Sequence, residues 1–118
     1  MPVDIGPFAV AKESRNGVVF LRPQGELDIA TVPTLSHALA EAEREAELQI
    51  VVDLSDLSFI DVTGVRGLAE AYQRVNGNGI TLAVVRPQPW IRKVLHLTRS
   101  DFLLGSPRAG EDARSNGR

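Results

Sequence analysis

Short apolar runs and amphipathic stretches alternate along the chain, which predicts a fold that contains both strands and helices. Residues 8–12 and 18–21 are apolar runs joined by an Arg-Asn-Gly turn at 15–17, and asparagine and glycine accept a positive φ there at low cost. The two runs therefore predict a β-hairpin. Pro23 has no N–H to donate, so the second strand is expected to be an edge, or bulged, at that position.

Two amphipathic helices are predicted by apolar residues that recur every three or four positions. The first helix is expected to begin near Thr31, a residue type typical of helix N-caps. Its apolar stripe consists of Val32, Leu35, Leu39, Ala42 and Ala46. The stripe of the second helix consists of Val65, Leu68, Ala69, Tyr72 and Val75.

A compact, mostly apolar run follows each of these helices, at 49–54 and 80–85, as is typical of strands buried on both faces. A third helix is expected to begin at 87–89, and residues 102–104 are read as a last short strand. Strands that alternate with helices predict an α/β fold, with a mixed, partly parallel sheet joined by right-handed crossovers.

Length, charge and composition narrow the class of protein. The 118 residues, 43% hydrophobic and 24% charged, fit one domain, which we place at 1–105. The polar residues 106–118 contain no large apolar side chain and are predicted to form a disordered tail. A net charge of −2 argues against a nucleic-acid partner.

The residue types present exclude several kinds of site. The chain has no cysteine, so a disulfide framework, a thiol nucleophile and a cysteine-ligated metal site are excluded. His37 and His96 have no metal-ligand spacing, and neither a metal nor another cofactor is expected. Residues 1–7 lack the pattern of a signal peptide, and no apolar run is long enough for a membrane span. A cytoplasmic protein is therefore expected.

Residues 57–65 link a buried strand to the second helix and include Asp61, Thr63 and Gly64. Two interpretations stay open. In the structural one, Asp61 or Thr63 caps the helix, and Gly64 permits a close approach of the backbone. In the functional one, Thr63 presents a hydroxyl for modification at a rigid junction. A phosphate there would add about 1.5 to 2 negative charges at the positive end of the helix dipole.

The segments Gly25-Glu26-Leu27-Asp28, 50–54 and Phe59-Ile60-Asp61-Val62-Thr63-Gly64 resemble, in order and spacing, the STAS domain. More narrowly, they resemble the bacterial anti-sigma-factor antagonists. The resemblance extends from about residue 8 to 104 and implies a STAS-like fold, with a central mixed sheet of four to five strands and three to four α-helices.

The resemblance also implies a mechanism. Such an antagonist binds an anti-sigma factor that is also a serine/threonine kinase, and this frees the sigma factor. Phosphorylation of one Ser or Thr, here Thr63, releases the antagonist, and a phosphatase resets it. Asp28, Asp61, Val62 and Gly64 fall on the surrounding partner-binding and phosphorylation loop.

Two departures from the family pattern motivate an alternative. Thr63 stands where serine is commoner, and Val62 stands where many relatives have a second serine. The alternative is therefore a STAS module that is not phosphorylated and acts as a ligand-binding or scaffold subunit of a sensory or transport assembly.

Two further possibilities follow from the residues. The third hypothesis is an enzyme that uses Asp28 and Asp61 as an acid–base pair. The sequence shows no oxyanion donor and no metal cluster beside this pair. We therefore expect that the protein is not an enzyme and has no catalytic residue. The sheet edge near the hairpin also allows a weak homodimer.

Overall fold

A mixed β-sheet forms the centre of the structure, a computed structural model that describes residues 8–108. In this part of the chain the sheet has five strands and is accompanied by three helices. In chain order they are β1 (Ala9–Arg15), β2 (Val18–Leu27), α1 (Val32–Glu45), β3 (Gln49–Asp53), β4 (Leu57–Ile60), α2 (Val62–Gly77), β5 (Thr81–Val85) and α3 (Pro89–Leu97). The predicted α/β fold is confirmed.

The strands are arranged in the order β1-β2-β3-β5, with β4 paired to the far end of β2. β1 and β2 form the predicted antiparallel hairpin, whose turn residues Asn16 and Gly17 have φ values of 53° and 84°. The other pairings are parallel. Each connection between parallel neighbours contains an α-helix, α1 or α2, so the mixed sheet follows from the alternating sequence pattern.

Pro23 lies between two separate parallel ladders on the same side of β2. The ladder with β3 ends at Leu21, and the ladder with β4 begins at Gly25, with a register shift at the next residue. On its other side, Pro23 is opposite Val10 of β1. The missing N–H therefore falls at a local gap in the pairing, which agrees with the edge or bulge that proline requires.

All three helices contribute buried side chains to one apolar core. The sheet contributes alternate residues to this core, as expected from the twofold period of a strand. These sheet residues are Val19, Leu21, Ile50, Val52, Leu82 and Val84. The buried positions of α1 are Leu35, Leu39 and Ala42, and those of α2 include Val65, Leu68, Ala71 and Val75. The helical stripes are thus confirmed in outline. Ala71 rather than Ala69 is fully buried, and Val32, Ala46 and Tyr72 are only partly buried.

Two local predictions were wrong. Residues 57–60 form strand β4 rather than part of a loop. Residues 102–104 do not form a strand: Asp101–Leu103 is one 3₁₀ turn, and Leu104 makes only an isolated bridge to Val84. The short length of both segments, three or four residues, left no periodicity by which to distinguish strand from turn.

The opposite face of the sheet is crossed by residues 105–108. The amide of Gln49 donates to the carbonyl oxygen of Ser106 at 3.0 Å and accepts from the N–H of Arg108 at 2.8 Å. These contacts bury Gln49, which is 4% exposed. Two of the first three residues of the predicted tail, Ser106 and Arg108, are therefore hydrogen-bonded to the sheet, and residues 109–118 lie outside the described part of the chain.

A buried carboxylate ends strand β3. Asp53 is 6% exposed, accepts a hydrogen bond from the Ser55 N–H at 2.9 Å, and forms an ion pair with Arg86. Burial alone would raise the pKa of Asp53, but the hydrogen bonds from Arg86 and Ser55 outweigh it, so the pKa lies below its ordinary value. The charged form is therefore the one that the fold stabilises.

We expect Asp53→Asn to lower the free energy of unfolding at pH 7 by about 1 kcal/mol, because the neutral amide loses the pair with Arg86. The pKa of Asp53 is lowered in the folded state, so its contribution is present above the unfolded pKa of about 3.9 and is lost as the pH falls through the folded value. Urea unfolding between pH 7 and 3 measures this, and the two proteins should converge at the acid end.

Asp56→Asn is the matched control, because Asp56 pairs with Arg22 at 3.1 Å while half exposed, and such pairs contribute less. Equal effects of the two substitutions at pH 7, or an Asp53→Asn deficit that does not decrease between pH 7 and pH 3, would contradict the assignment.

Candidate functional site

The N-terminus of α2 is attached to the end of β2 by backbone contacts. Leu27 and Ile60 are opposite each other in the β2–β4 ladder, and the N–H of Asp61 donates to the Leu27 carbonyl oxygen at 3.3 Å. The chain then turns directly into α2 at Val62. These contacts bring the segment after β2, which begins with Asp28, beside the segment that contains Thr63.

Asp61 is the N-cap of α2. Its Oδ1 accepts a hydrogen bond from the N–H of Gly64 at 3.0 Å, and its carbonyl oxygen accepts from Val65 at 3.0 Å. Asp61 has extended backbone angles, as an N-cap requires. Of the two capping residues that the sequence allowed, the structure therefore selects Asp61, and Thr63 lies inside the first turn of the helix.

Gly64 is buried against the end of β2. A Cβ at this position would lie 2.8 Å from the carbonyl oxygen of Leu27 and 2.9 Å from Cγ1 of Ile60. Backbone and core atoms cannot move far, so only glycine allows α2 to begin this close to β2. The close approach predicted from the sequence is present, and it determines where Thr63 lies.

Asp28 and Thr31 form a compact turn between β2 and α1. Asp28 Oδ1 accepts from the N–H groups of Ala30 and Thr31, at 3.0 and 3.2 Å. The Thr31 hydroxyl donates to the Glu26 carbonyl oxygen at 2.7 Å and accepts from the Asp28 N–H at 2.9 Å. Thr31 occupies the N-cap position of α1, but its side chain makes no capping hydrogen bond to that helix. It fixes the Asp28 turn instead.

Thr63 is half-buried, and within residues 8–108 its hydroxyl has no hydrogen-bond partner. Val62, next to it, is 59% exposed, and Ile29, next to Asp28, is 76% exposed. The site therefore combines an available hydroxyl, two carboxylates held by backbone N–H groups, and exposed apolar side chains. Such a surface suits contact with another protein better than it suits a reaction on a small molecule.

The structure brings together the elements that carry Asp28, Asp61, Val62, Thr63 and Gly64. Sequence reasoning missed that the adjacent Phe59 contacts Trp90 of α3, with ring centroids 6.0 Å apart. These two residues are 31 positions apart, and no local signal connects them.

The histidines pair singly with carboxylates, His37 with Glu41 and His96 with Asp101. Among residues 8–108, no three potential metal-ligating side chains come together. None of the helices in this range has the length and apolar composition of a bilayer-spanning segment.

Comparison with known protein families matches residues 9–110 to the STAS domain. The chain belongs to the STAS domain family. The match covers every strand and helix described above, so the STAS domain here includes the Asp61–Gly64 junction, the Asp28 turn and the segment that crosses the open face of the sheet.

Several relatives of this STAS domain are named anti-sigma factor antagonists. It is 29% identical over 94 residues to the anti-sigma-F factor antagonist RsfB of Mycobacterium tuberculosis, with 80% of this chain and 76% of RsfB covered. It is 28% identical over 90 residues to an anti-sigma F factor antagonist of Paenibacillus polymyxa, with 75% and 77% covered. A crystal structure of an anti-sigma factor antagonist from Mycobacterium paratuberculosis superposes with a TM-score of 0.76 at 28% identity, with 92% of each chain covered.

We expect Gly64→Ala to lower the free energy of unfolding by about 2 kcal/mol, because the methyl group overlaps backbone and core atoms that cannot move away. Gly77→Ala is the matched control. Gly77 lies at the end of the same helix with nothing within 4 Å of an added Cβ, so alanine should be neutral or slightly stabilising there. Thermal and urea unfolding measure both variants. A Gly64→Ala protein as stable as Gly77→Ala would show that the junction is not tightly packed.

Proposed function

We propose that this STAS domain is an anti-sigma factor antagonist that binds an anti-sigma factor, frees a sigma factor, and is released when Thr63 is phosphorylated. The observation that carries the proposal is the available hydroxyl of Thr63 in the first turn of α2, between the cap Asp61 and the buried Gly64. The names of the relatives support the class of partner. The anti-sigma factor acts as the kinase, a phosphatase reverses the reaction, and the cycle takes place in the cytoplasm.

The junction can accept a phosphate without unfolding. A phosphothreonine at residue 63 would lie in the first turn of a 16-residue helix, where free N–H groups and the helix dipole favour negative charge. The cap and the Gly64 contact hold the backbone from the other side. Phosphorylation therefore changes the surface and leaves the scaffold in place.

The same phosphate opposes binding. It adds about 1.5 to 2 negative charges and three strongly hydrated oxygens on a surface that already carries the Asp28 and Asp61 carboxylates. No ion pair among residues 8–108 involves either carboxylate. Removing such a charge from water in an interface, without a cation to pair with it, costs several kcal/mol. Release of the partner follows from that penalty.

A second function, a STAS module that is not phosphorylated and acts as a ligand-binding or scaffold subunit of a sensory or transport assembly, is favoured by the surroundings of Thr63. Thr63 is only half-exposed, and its methyl group narrows the access of a kinase to the hydroxyl. Val62 stands in place of a second hydroxyl, so Thr63 is the only hydroxyl between Asp61 and Gly64. The two candidate functions differ in whether Thr63 is modified.

We expect one phosphate on the chain after incubation with a candidate anti-sigma factor kinase from the same genome, ATP and magnesium, mapped by peptide mass spectrometry to Thr63. Thr63→Ala should abolish it. Thr31 provides an internal control, because its hydroxyl is engaged in hydrogen bonds and should stay unmodified. If a kinase that binds the chain and phosphorylates a control substrate leaves Thr63 unmodified, the phosphorylation step is wrong and the second function stands.

We expect Thr63→Ala to bind the anti-sigma factor about as tightly as the wild-type chain, and Thr63→Glu to bind at least about tenfold more weakly, a difference of about 1.4 kcal/mol. Thr63→Gln separates charge from size, because it has nearly the same shape as Glu without the charge. Isothermal titration calorimetry measures all four proteins. If Gln weakens binding as much as Glu does, steric fit rather than charge controls release.

A further inference from the structure

An exposed pair of aromatic rings lies beside the candidate site. Phe59 of β4 is 39% exposed and Trp90, in the first turn of α3, is 41% exposed, and their ring centroids are 6.0 Å apart at an interplanar angle of 42°. Single exposed apolar residues are ordinary on a protein surface. A pair of neighbouring aromatic rings that are both partly exposed to water is less common, and such rings are typical anchors of protein interfaces.

The ring pair is held in place before any partner arrives. The side-chain amide of Gln88 donates to the carbonyl oxygens of Leu57 at 3.2 Å and Ser55 at 3.4 Å. These bonds fasten the start of α3 to β4, and the buried Ile91 anchors the same turn in the core. A rigid anchor loses little conformational entropy on binding, so its exposed area contributes more fully to affinity.

The rings lie within reach of a partner that covers Thr63. Phe59 is four residues before Thr63, and four residues of extended chain span at most about 14 Å. A standard interface covers about 800 Å² on each partner, which is a patch about 30 Å across. The exposed Val62 lies between the two positions in sequence. One footprint centred near Thr63 therefore includes the ring pair.

The two rings have opposite charges beside them: Lys93 lies next to Trp90, whereas the exposed Glu26 is opposite Phe59 in the β2–β4 ladder. Lys93 follows Trp90 by three residues on α3 and so lies on the same side of the helix. It is exposed and forms no ion pair with another residue between 8 and 108. An apolar side chain that packs against Trp90 would therefore be accompanied most favourably by a carboxylate.

We infer that Phe59 and Trp90 form the specificity anchor of this domain, and that they receive an apolar side chain of the anti-sigma factor with an Asp or Glu beside it. This inference rests on the proposed function, because it places the rings in the same interface as Thr63. It adds that affinity comes largely from the ring pair, whereas the charge at Thr63 controls release. The two contributions are separable by mutation.

The anchor is tested with the only tryptophan of the chain. Labelling with 5-fluorotryptophan gives a single ¹⁹F resonance from Trp90, which an unlabelled anti-sigma factor does not obscure. The probe is the anti-sigma factor used in the calorimetry above. We expect the resonance to shift on binding and to become insensitive to the H₂O/D₂O solvent isotope effect, because the ring leaves water. An unchanged, solvent-sensitive resonance in the saturated complex would overturn the inference.

Substitutions give the energetic test. Trp90→Ala and Phe59→Ala should each weaken binding at least tenfold, Trp90→Phe should restore part of the affinity, and Lys93→Glu should weaken binding more at low salt than at high salt. Phe102→Ala is the matched control. Phe102 is 45% exposed and also belongs to a ring pair, with Tyr72 at 5.0 Å, but Tyr72 lies about 13 Å from Thr63 along α2, at the rim of such a patch, where side chains contribute little to affinity. Loss of Phe102 should therefore weaken binding far less than loss of Trp90.

The outcomes separate this inference from the proposed function. If Thr63→Glu weakens binding while Trp90→Ala and Phe102→Ala bind like the wild type, and all fold by circular dichroism, the switch stands and the anchor is wrong. If the wild-type chain binds no anti-sigma factor, both are wrong. A concentration-dependent shift of the Trp90 resonance in the chain alone would assign the rings to self-association and overturn the anchor. Both stand under two conditions: Trp90→Ala abolishes binding, and the ratio of the dissociation constants of Thr63→Ala and Thr63→Glu is the same in the Trp90→Phe background as in the wild-type chain.

Discussion

The contact between Gly64 and the Leu27 carbonyl oxygen is the constraint on which the site depends. α2 can begin beside the end of β2 only because residue 64 has no side chain. The hydrogen bond from Asp61 to Leu27 then joins the two loops that follow β2 and β4. Without this approach, Asp28 and Thr63 would belong to separate surfaces. The buried contact of Gly64 with Leu27 thus determines that Asp28 and Thr63 lie on the same surface.

The structural and functional interpretations of the junction are complementary. Asp61 and Asp28 both have structural tasks, since one caps α2 and the other closes the turn before α1. Backbone N–H groups donate hydrogen bonds to one oxygen of each carboxylate, so both negative charges are held in fixed positions at the surface. Because Asp61 caps α2, the Thr63 hydroxyl makes no capping hydrogen bond and stays available. The local fold therefore produces the feature that the proposed modification requires.

The sequence predicted the parts of the fold that have a long periodic signal. The stripes of α1 and α2, the apolar strands β3 and β5 and the Asn16-Gly17 turn follow from local spacing. β4 was missed because its four residues pair with β2, about 30 positions earlier, and that pairing has no local signature. Residues 102–104 were misread as a strand, since the buried Leu103 is equally compatible with a turn. For the same reason, the site residues on one loop were predictable, whereas the Phe59–Trp90 pair was not.

The rigidity of the junction also limits how a switch at Thr63 can work. The cap, the glycine contact and the parallel pairing of β4 with β2 leave the first turn of α2 no alternative packing of comparable energy. A phosphate at this position is therefore detected by whatever touches it, without transmission through the core. Under the proposed function, binding energy and its control then come from different atoms. The apolar contacts of the ring pair would supply affinity, and the state of the Thr63 hydroxyl would control whether the interface forms.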